Sequence, residues 1–281
     1  RMCQILYGKA QVRQHLAFLI QELRPTHVDA LLKSIVARGA PTIANDVLRW
    51  LRRMFDYAVK RELCRHNPVT AFDPSDAGGK EEARTRWLTR AELSKLFEAM
   101  RTAKGWSHEN TLTVKLLLML ATRKNELIAA RIDEFDLDTA IWHLPGIRTK
   151  TGDSIDIPLP RQAVEILREL VRLAAGSAWL LPARKSETRM LPHISPDTLN
   201  TAISQYLRPL MPQSERFSPH DFRRTARTHL EALGIAPHVA ERCLNHKLRG
   251  VVGIYNRHDY FEERKEALQK WADLVSEIER S

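Results

Sequence analysis

Apolar residues recur at helical spacing along almost all of this chain and switch to strand-like spacing in one short region. That region holds Ile141-Trp142-His143-Leu144 and Ile155-Asp156-Ile157-Pro158-Leu159, two runs that flank the polar stretch 146–154. The pattern predicts a mainly α fold with one small antiparallel β-sheet, whose connecting turn falls at Lys150-Thr151-Gly152-Asp153. Helices are expected over 11–23, 28–38 and 41–63, and again over 111–119, 124–130, 161–174, 196–210, 219–233, 237–244 and 261–278. Thr89-Arg90-Ala91-Glu92 has the spacing of a capping box and opens a further one.

Length and punctuation divide the chain. At 281 residues it is long for one core. Between the helical stretches lies Asp73-Pro74-Ser75-Asp76-Ala77-Gly78-Gly79-Lys80, which lacks apolar periodicity and gathers Pro, Ser and Gly. The expected organisation is a helical domain over 1–72, a linker over 73–87 and a mixed α+β domain over 88–281. In the longest helix of the first domain, Ile43, Val47, Leu51, Met54, Phe55 and Ala58 form an apolar stripe, opposite Arg49, Arg52, Arg53 and Lys60.

Charge narrows the choice of partner. The formal net charge is +10, and residues 1–75 alone carry 12 Lys/Arg against 6 Asp/Glu. Such an excess favours a polyanion, with Arg49, Arg52, Arg53 and Lys60 as candidate phosphate contacts. The competing reading is a solvated face, since Asp46 and Asp56 lie close enough to pair with those arginines. Cys3, Cys64 and Cys243 are widely spaced and form no Cys-x-x-Cys pair, which predicts neither a disulfide nor a zinc framework and suits a reducing cytoplasm. The longest apolar run, 116–121, falls far short of the roughly 20 residues a membrane span needs, so no membrane partner is expected. The chain opens on Arg1 rather than Met, which leads us to expect further sequence before it.

The chemistry concentrates near the C-terminal end. In Ser218-Pro219-His220-Asp221-Phe222-Arg223-Arg224-Thr225, residues 220 and 223 share one face of the expected helix. His220 falls with Arg224 and Arg227, whereas Phe222, Ala226, Leu230 and Leu233 form a separate stripe and Arg223 lies between the two sets. That edge position suits an arginine lining a pocket. Arginine forks match two phosphate oxygens at once, histidine exchanges protons near neutrality, and a tyrosine hydroxyl can act as a covalent nucleophile. His246 and Tyr255 follow downstream, and Arg123 with Glu126 stands upstream. Fixed cations stabilise the charge that spreads over the oxygens of a phosphoryl group in transfer, and Arg123 and Arg223 are the candidates for that clamp.

The ordered set of Arg123, His220, Arg223, His246 and Tyr255 resembles the tyrosine recombinases, the phage-integrase family, over about residue 27 to the end. Pro219-His220-Asp221-Phe222-Arg223-Arg224-Thr225, Leu244-Asn245-His246 and Tyr255-Asn256-Arg257-His258-Asp259-Tyr260 are closest to integrases of genomic islands and satellite phages. The resemblance implies a helical core-binding domain joined to a catalytic domain. It implies site-specific cleavage and rejoining of double-stranded DNA through a 3′-phosphotyrosyl intermediate, to integrate or excise a mobile element. Neither a metal nor ATP is implied, because the covalent link preserves the phosphodiester energy. A homotetramer on DNA attachment sites, an accessory bending protein or excisionase, and a cytoplasmic, nucleoid-associated location follow from the same resemblance.

Residue by residue, the resemblance makes Arg123 the first catalytic arginine, Lys150 the hairpin lysine that protonates the leaving 5′ oxygen, and His220 and Arg223 the His-x-x-Arg pair. His246 becomes the later histidine, hydrogen-bonding a nonbridging oxygen, and Tyr255 the nucleophile. Glu126 orients a guanidinium, and Arg224 joins the DNA contacts. A tyrosine hydroxyl with an ordinary pKa of about 10 needs a proton acceptor, for which His220 is suited. Tyr260 competes as nucleophile, although it sits where the last helix begins and an aromatic ring would simply pack. Around Arg123 the family has Thr-Gly-x-Arg-x-Gly-Glu-Leu, whereas this chain reads Leu120-Ala121-Thr122-Arg123-Lys124-Asn125-Glu126-Leu127. Ala121 is therefore the costly replacement if the backbone there needs positive φ. Leu268, Trp271, Val275 and Ile278 form an apolar stripe that packs within the chain or docks on a neighbour. A catalytically silent DNA-binding protein and a type IB topoisomerase-like enzyme are the rival readings.

Overall fold

The computed structural model describes residues 22–82, 85–183, 191–246 and 259–281. The expected helix over 11–23 lies almost entirely outside the described residues. Contacts divide the chain into two compact units, Arg1–Arg84 and Thr85–Ser281.

In the first unit, α1 (Pro25–Ala37) and α2 (Pro41–Lys60) each begin with proline, whose fixed φ and missing N–H suit a helix start. Val28, Leu32 and Ile35 recur at helical spacing and pack with Ala44, Val47, Leu48, Phe55 and Ala58. The stripe on α2 differs from the expected one. Ile43 and Met54 are on the outside with Trp50 and Tyr57, whereas Leu48 and the polar Asn45 are buried. Both faces of α2 carry apolar residues, so periodicity alone cannot choose between them.

The segment after residue 72 decides the matter. The stretch expected as a linker is fastened along α2: the Asn45 amide donates to the Gly79 carbonyl (2.9 Å) and to Glu81 (3.0 Å), and its oxygen accepts the Gly78 N–H at 2.8 Å. A side chain at Gly78 would lie 1.9 Å from the Pro41 carbonyl oxygen, so the close approach requires glycine. Arg52 donates to the Phe72 carbonyl, and Arg49 pairs with both Asp46 and Glu81.

In the second unit, α3 (Arg90–Thr102) starts at the expected capping box, with Glu92 accepting the Thr89 N–H at 3.0 Å. Next comes α4 (His108–Leu120), in which Leu116, Leu117, Leu118, Met119 and Leu120 are each at most 1% exposed. A helix apolar all round must sit in the middle of a core. After α5 (Lys124–Ile128) the chain forms β1 (Phe135–Asp136), β2 (Ile141–Leu144) and β3 (Ile155–Pro158), an antiparallel sheet in that order. Trp142 pairs with Ile157 across β2 and β3 and stacks on Phe135 of β1, with 5.0 Å between ring centroids. The sheet is followed by α6 (Arg161–Leu173) and α7 (Pro196–Ala202).

The sequence predicts that α7 continues to residue 210, but beyond Ala202 it widens into a π turn over Ile203–Leu207 and tightens into a 3-10 turn over Arg208–Leu210. Pro209 supplies no N–H, so the α-helical bond it should make is missing there. Last come α8 (Pro219–Ala232), α9 (Pro237–Cys243) and α10 (Phe261–Arg280). Leu268, Trp271, Val275 and Ile278 of α10 are buried in the core of this unit, and the Trp271 indole donates to the Leu118 carbonyl at 2.6 Å. The C-terminal stripe thus packs within its own chain.

Replacing Asn45 with Ala should destabilise the first unit by about 2 kcal/mol, since buried partners lose their hydrogen bonds. A lower chemical-unfolding midpoint and faster exchange of the Gly78 amide are the expected readouts. An unchanged Gly78 exchange rate would mean that Asn45 does not hold the segment.

Candidate active site

The start of α8 is locked by its own sequence. Asp221 accepts the Ser218 N–H at 2.8 Å and its hydroxyl at 2.9 Å, and Pro219 presets the first turn. Arg224 pairs with the other oxygen of Asp221 at 2.7 Å, so this proposed DNA contact also braces the cap. His220 is left exposed on the rim, while Arg223, one turn on, is only 3% exposed.

Arg223 bridges separate parts of the chain. One guanidinium nitrogen donates to the Ala121 carbonyl, and the other donates to the Leu244 carbonyl at 2.6 Å and lies 3.2 Å from His246 Nε2. Burial first, and then the nearby Arg123 charge, lower its pKa to about 10, which still leaves it charged at neutral pH. Ala121 ends α4 with φ +51°, the left-handed region that favours glycine. The family glycine that this chain lacks therefore marks a backbone position where its absence is felt.

Arg123 caps α5. Glu126, itself 2% exposed, accepts the Arg123 backbone N–H through one oxygen and its guanidinium through the other, both at 2.8 Å. The guanidinium is thereby aimed by a carboxylate that lies three residues on in the same helix. Arg123, His220 and Lys150 line a common cleft of about 460 Å³, together with Lys124, Arg148 and Asn200. Lys150 reaches it from the β2–β3 turn. That turn is held by Thr149, whose hydroxyl lies 3.0 Å from the Gly146 carbonyl and 2.9 Å from that of Asp153.

Sequence reasoning missed Arg148 and Glu241. Arg148 donates to the Glu126 carbonyl at 2.6 Å and pairs with Glu134, which also accepts the Trp142 indole N–H at 3.0 Å. It ties the Lys150 turn to α5. The only hint in the sequence is its place beside Lys150 in a polar turn. Glu241 lies on α9, with one oxygen 2.6 Å from His246 Nδ1 and the other 2.7 Å from Arg227 Nε. Tyr255 lies outside the described residues. Its rival Tyr260 precedes α10 with φ +55° and tilts against the His238 ring, with 4.8 Å between centroids.

The surroundings favour the neutral form of both site histidines. Partial loss of water on the side of the ring that faces the protein, and then the charges of Arg224, Arg223 and Arg123, push the His220 pKa below its ordinary value. Burial likewise lowers His246, against the raising effect of its bond to Glu241, and Arg223 and Arg123 push the same way as burial. Burial lowers Lys124, which faces the same cleft. In Glu241, burial works to raise the carboxyl, but the bonds from Arg227 and His246 outweigh it and hold the pKa below the usual range.

His229 behaves similarly. It is buried, its Nε2 lies 3.0 Å from the Leu88 carbonyl, and burial lowers its pKa. For His220, His229 and His246 the unfolded chain binds protons before the folded one does. Stability from these groups is full above about pH 6.5 and is lost as the pH falls through the lower folded-state values. The urea midpoint should therefore drop between pH 7 and pH 5.5, and less so in His229→Gln. A midpoint that holds or rises on acidification would contradict this.

The pattern described as "Phage integrase family" matches residues 86–262, and "Phage integrase central domain" matches 11–74. The chain is 28% identical over 242 residues to the prophage integrase IntZ of Escherichia coli (strain K12), covering 86% of this chain and 57% of that protein. It is 27% identical over 273 residues to the integrase of Enterobacteria phage P4, covering 91% of this chain and 60% of that one. It thus spans less than two thirds of the length of either relative. Among solved structures, it superposes on lambda integrase as a dimer bound to a COC' core site, with TM-score 0.62, 19% identity, and 89% and 70% of the two chains covered. It also superposes on lambda integrase as a tetramer bound to a Holliday junction, with TM-score 0.60, 18% identity, and 88% and 76% covered.

Proposed function

Because the chain belongs to the phage integrase family, we propose that it cleaves and rejoins specific sites in double-stranded DNA through a 3′-phosphotyrosyl intermediate at Tyr255. The observation that carries this reading is the convergence of Arg123, Lys150 and His220 on one cleft, with Arg223 and His246 bonded to each other beside Ala121 and Leu244. A phosphodiester in that cleft meets the Arg123 guanidinium, while that of Arg223 lies buried beside His246. Both are held by neighbouring backbone or carboxylate groups before substrate arrives, so their charge stabilises the phosphoryl oxygens with little reorganisation.

The protons have places to go. Neutral His220 accepts the Tyr255 hydroxyl proton as the tyrosyl oxygen attacks phosphorus and displaces the 5′ oxygen. Lys150, on the turn beside them, delivers a proton to that leaving oxygen. Rejoining runs the same steps backward with a different 5′ hydroxyl. His246 contributes a hydrogen bond to a nonbridging oxygen. The active assembly would be a homotetramer on two DNA sites, of the kind named for lambda integrase on a Holliday junction. Integration or excision of a mobile element would be its outcome, aided by an accessory bending protein or excisionase, in the bacterial cytoplasm.

The first unit supplies further grip on DNA. Arg49 and Arg52 are already engaged with Asp46, Glu81 and the Phe72 carbonyl. Arg53 and Lys60 lie on the exposed side of α2, where Arg53 sits 5.9 Å from the Trp50 ring centroid and Arg61 sits 5.4 Å from that of Tyr57. An exposed face that mixes cations with aromatic rings suits a nucleic acid better than one whose cations are internally paired.

On a nicked suicide duplex, Tyr255→Phe should abolish the covalent adduct and leave binding nearly unchanged, because one oxygen and no positive charge is removed. An adduct mapped to Tyr260, or undiminished in the variant, would overturn the assignment. Wild-type protein that binds the site and never forms an adduct would instead make the chain a silent DNA-binding protein.

Salt dependence tests the α2 face. Arg53→Gln with Lys60→Gln should flatten the slope of log K against log salt by roughly two units, about one for each phosphate that is no longer neutralised. Arg49→Gln with Arg52→Gln should flatten it less. The opposite ranking would return the phosphate-binding role to the paired arginines.

A further inference from the structure

We propose that Glu241 is a positioning residue for this reaction: its carboxylate fixes the tautomer and aim of His246 and provides the counter-charge when that imidazole meets a phosphate. The proposal rests on the recombinase reading above and names a residue outside the stretches that carry the resemblance.

The geometry is that of an oriented histidine. Glu241 holds His246 twice, through the 2.6 Å bond to Nδ1 and through its backbone carbonyl, which accepts the His246 N–H at 3.1 Å. Its second carboxylate oxygen is bonded to Arg227 Nε at 2.7 Å, and Arg227 is braced in turn by Glu231 at 2.8 Å. With both oxygens engaged, the carboxylate plane cannot rotate freely. Asn245 supports the arrangement by turning the chain at φ +51° directly after Leu244, whose carbonyl binds Arg223.

Proton placement follows from the partners. A carboxylate only accepts, so the shared proton sits on Nδ1 and Nε2 is left to face Arg223, 3.2 Å away. Arg223 only donates. In the free protein the two bonds are satisfied together by neutral imidazole. When a nonbridging phosphate oxygen arrives, Arg223 and Nε2 must both donate to it, so the ring takes a second proton, at Nε2, from solvent. No covalent bond between heavy atoms changes in this step.

The charges around the ring determine whether that proton is held. Arg223 faces it from α8, Arg123 from the start of α5, and Glu241 from α9, with Arg227 bonded to the far oxygen of Glu241. Remove the carboxylate and the ring is left among cations. A nearby opposite charge typically moves a pKa by about one unit or more toward the charged form.

The test combines single-turnover cleavage of a nicked suicide duplex, across pH 5.5 to 9, with nitrogen NMR titration of His246. Glu241→Gln preserves the shape of the contact and removes the charge. Its alkaline limb should move down by about one pH unit, and the His246 titration should move the same way. Glu241→Asp retains the charge and should retain the limb even if the rate falls, and it carries the test if the Gln variant folds poorly. In a His246→Gln background, Glu241→Gln should add less than about twofold further loss.

An unmoved His246 titration would overturn the proposal. So would an equal loss from Glu241→Gln with His246 present or replaced, which would mean that Glu241 acts through Arg227 and the packing of α9. If wild-type protein forms no adduct, the recombinase reading fails, and the titration alone decides whether Glu241 controls His246.

Discussion

A single guanidinium, that of Arg223, organises the second unit. Removing an arginine from water costs several kcal/mol unless its donors are matched, and here two backbone carbonyls and an imidazole nitrogen match them. Those acceptors come from the end of α4, the end of α9 and the residue two beyond Leu244. Binding one cation thus requires the end of α4 and residues 244–246 to arrive at one point on α8. The left-handed turns at Ala121 and Asn245 are where the backbone departs from helix to meet it.

The same cation shapes the electrostatics of the cleft. Arg123 and Arg223 repel each other and depress nearby histidines, and Glu126 and Glu241 offset part of that repulsion from the protein side. Arg123, Lys124, Arg148 and Lys150 leave the lining of the cleft rich in positive charge. A phosphodiester would complete the balance, which is the sense in which the site is prepared for a ligand that the fold itself does not contain. Arg148 extends the network by linking α5 to the turn that carries Lys150. The catalytic candidates therefore sit on elements tied together by hydrogen bonds rather than on independent loops.

Legibility varies with the range of the interaction involved. The capping box at Thr89, the proline starts of α2 and α8, and strands β2 and β3 all depend on neighbours a few residues apart, and they stand where the sequence predicts, whereas α1 begins at Pro25, three residues before its expected start. The pairing of Arg123 with Glu126 is equally local. By contrast, β1 spans only two residues and exists because β2 offers it a partner, so no periodic signal announces it. The buried face of α2 escapes sequence reasoning for a related reason. Ile43, Trp50, Met54 and Tyr57 supply as regular an apolar series as the residues that are actually buried, and hydrogen bonds from residues 78–81 to Asn45 turn the other side inward.

What the sequence determined by itself is the helical character with one small sheet, most of the helix starts, and the order of Arg123, His220, Arg223, His246 and Tyr255 on which the family resemblance rests. Local propensity, capping and motif spacing are properties of short stretches, and short stretches are fully present in a sequence. Tertiary structure alone decided which face of α2 is buried, that the α10 stripe packs within its own chain, and that Arg148 and Glu241 support Lys150 and His246. Each of those outcomes depends on which distant segment reaches a given side chain first and satisfies its donors, and a pattern along the chain does not encode that competition.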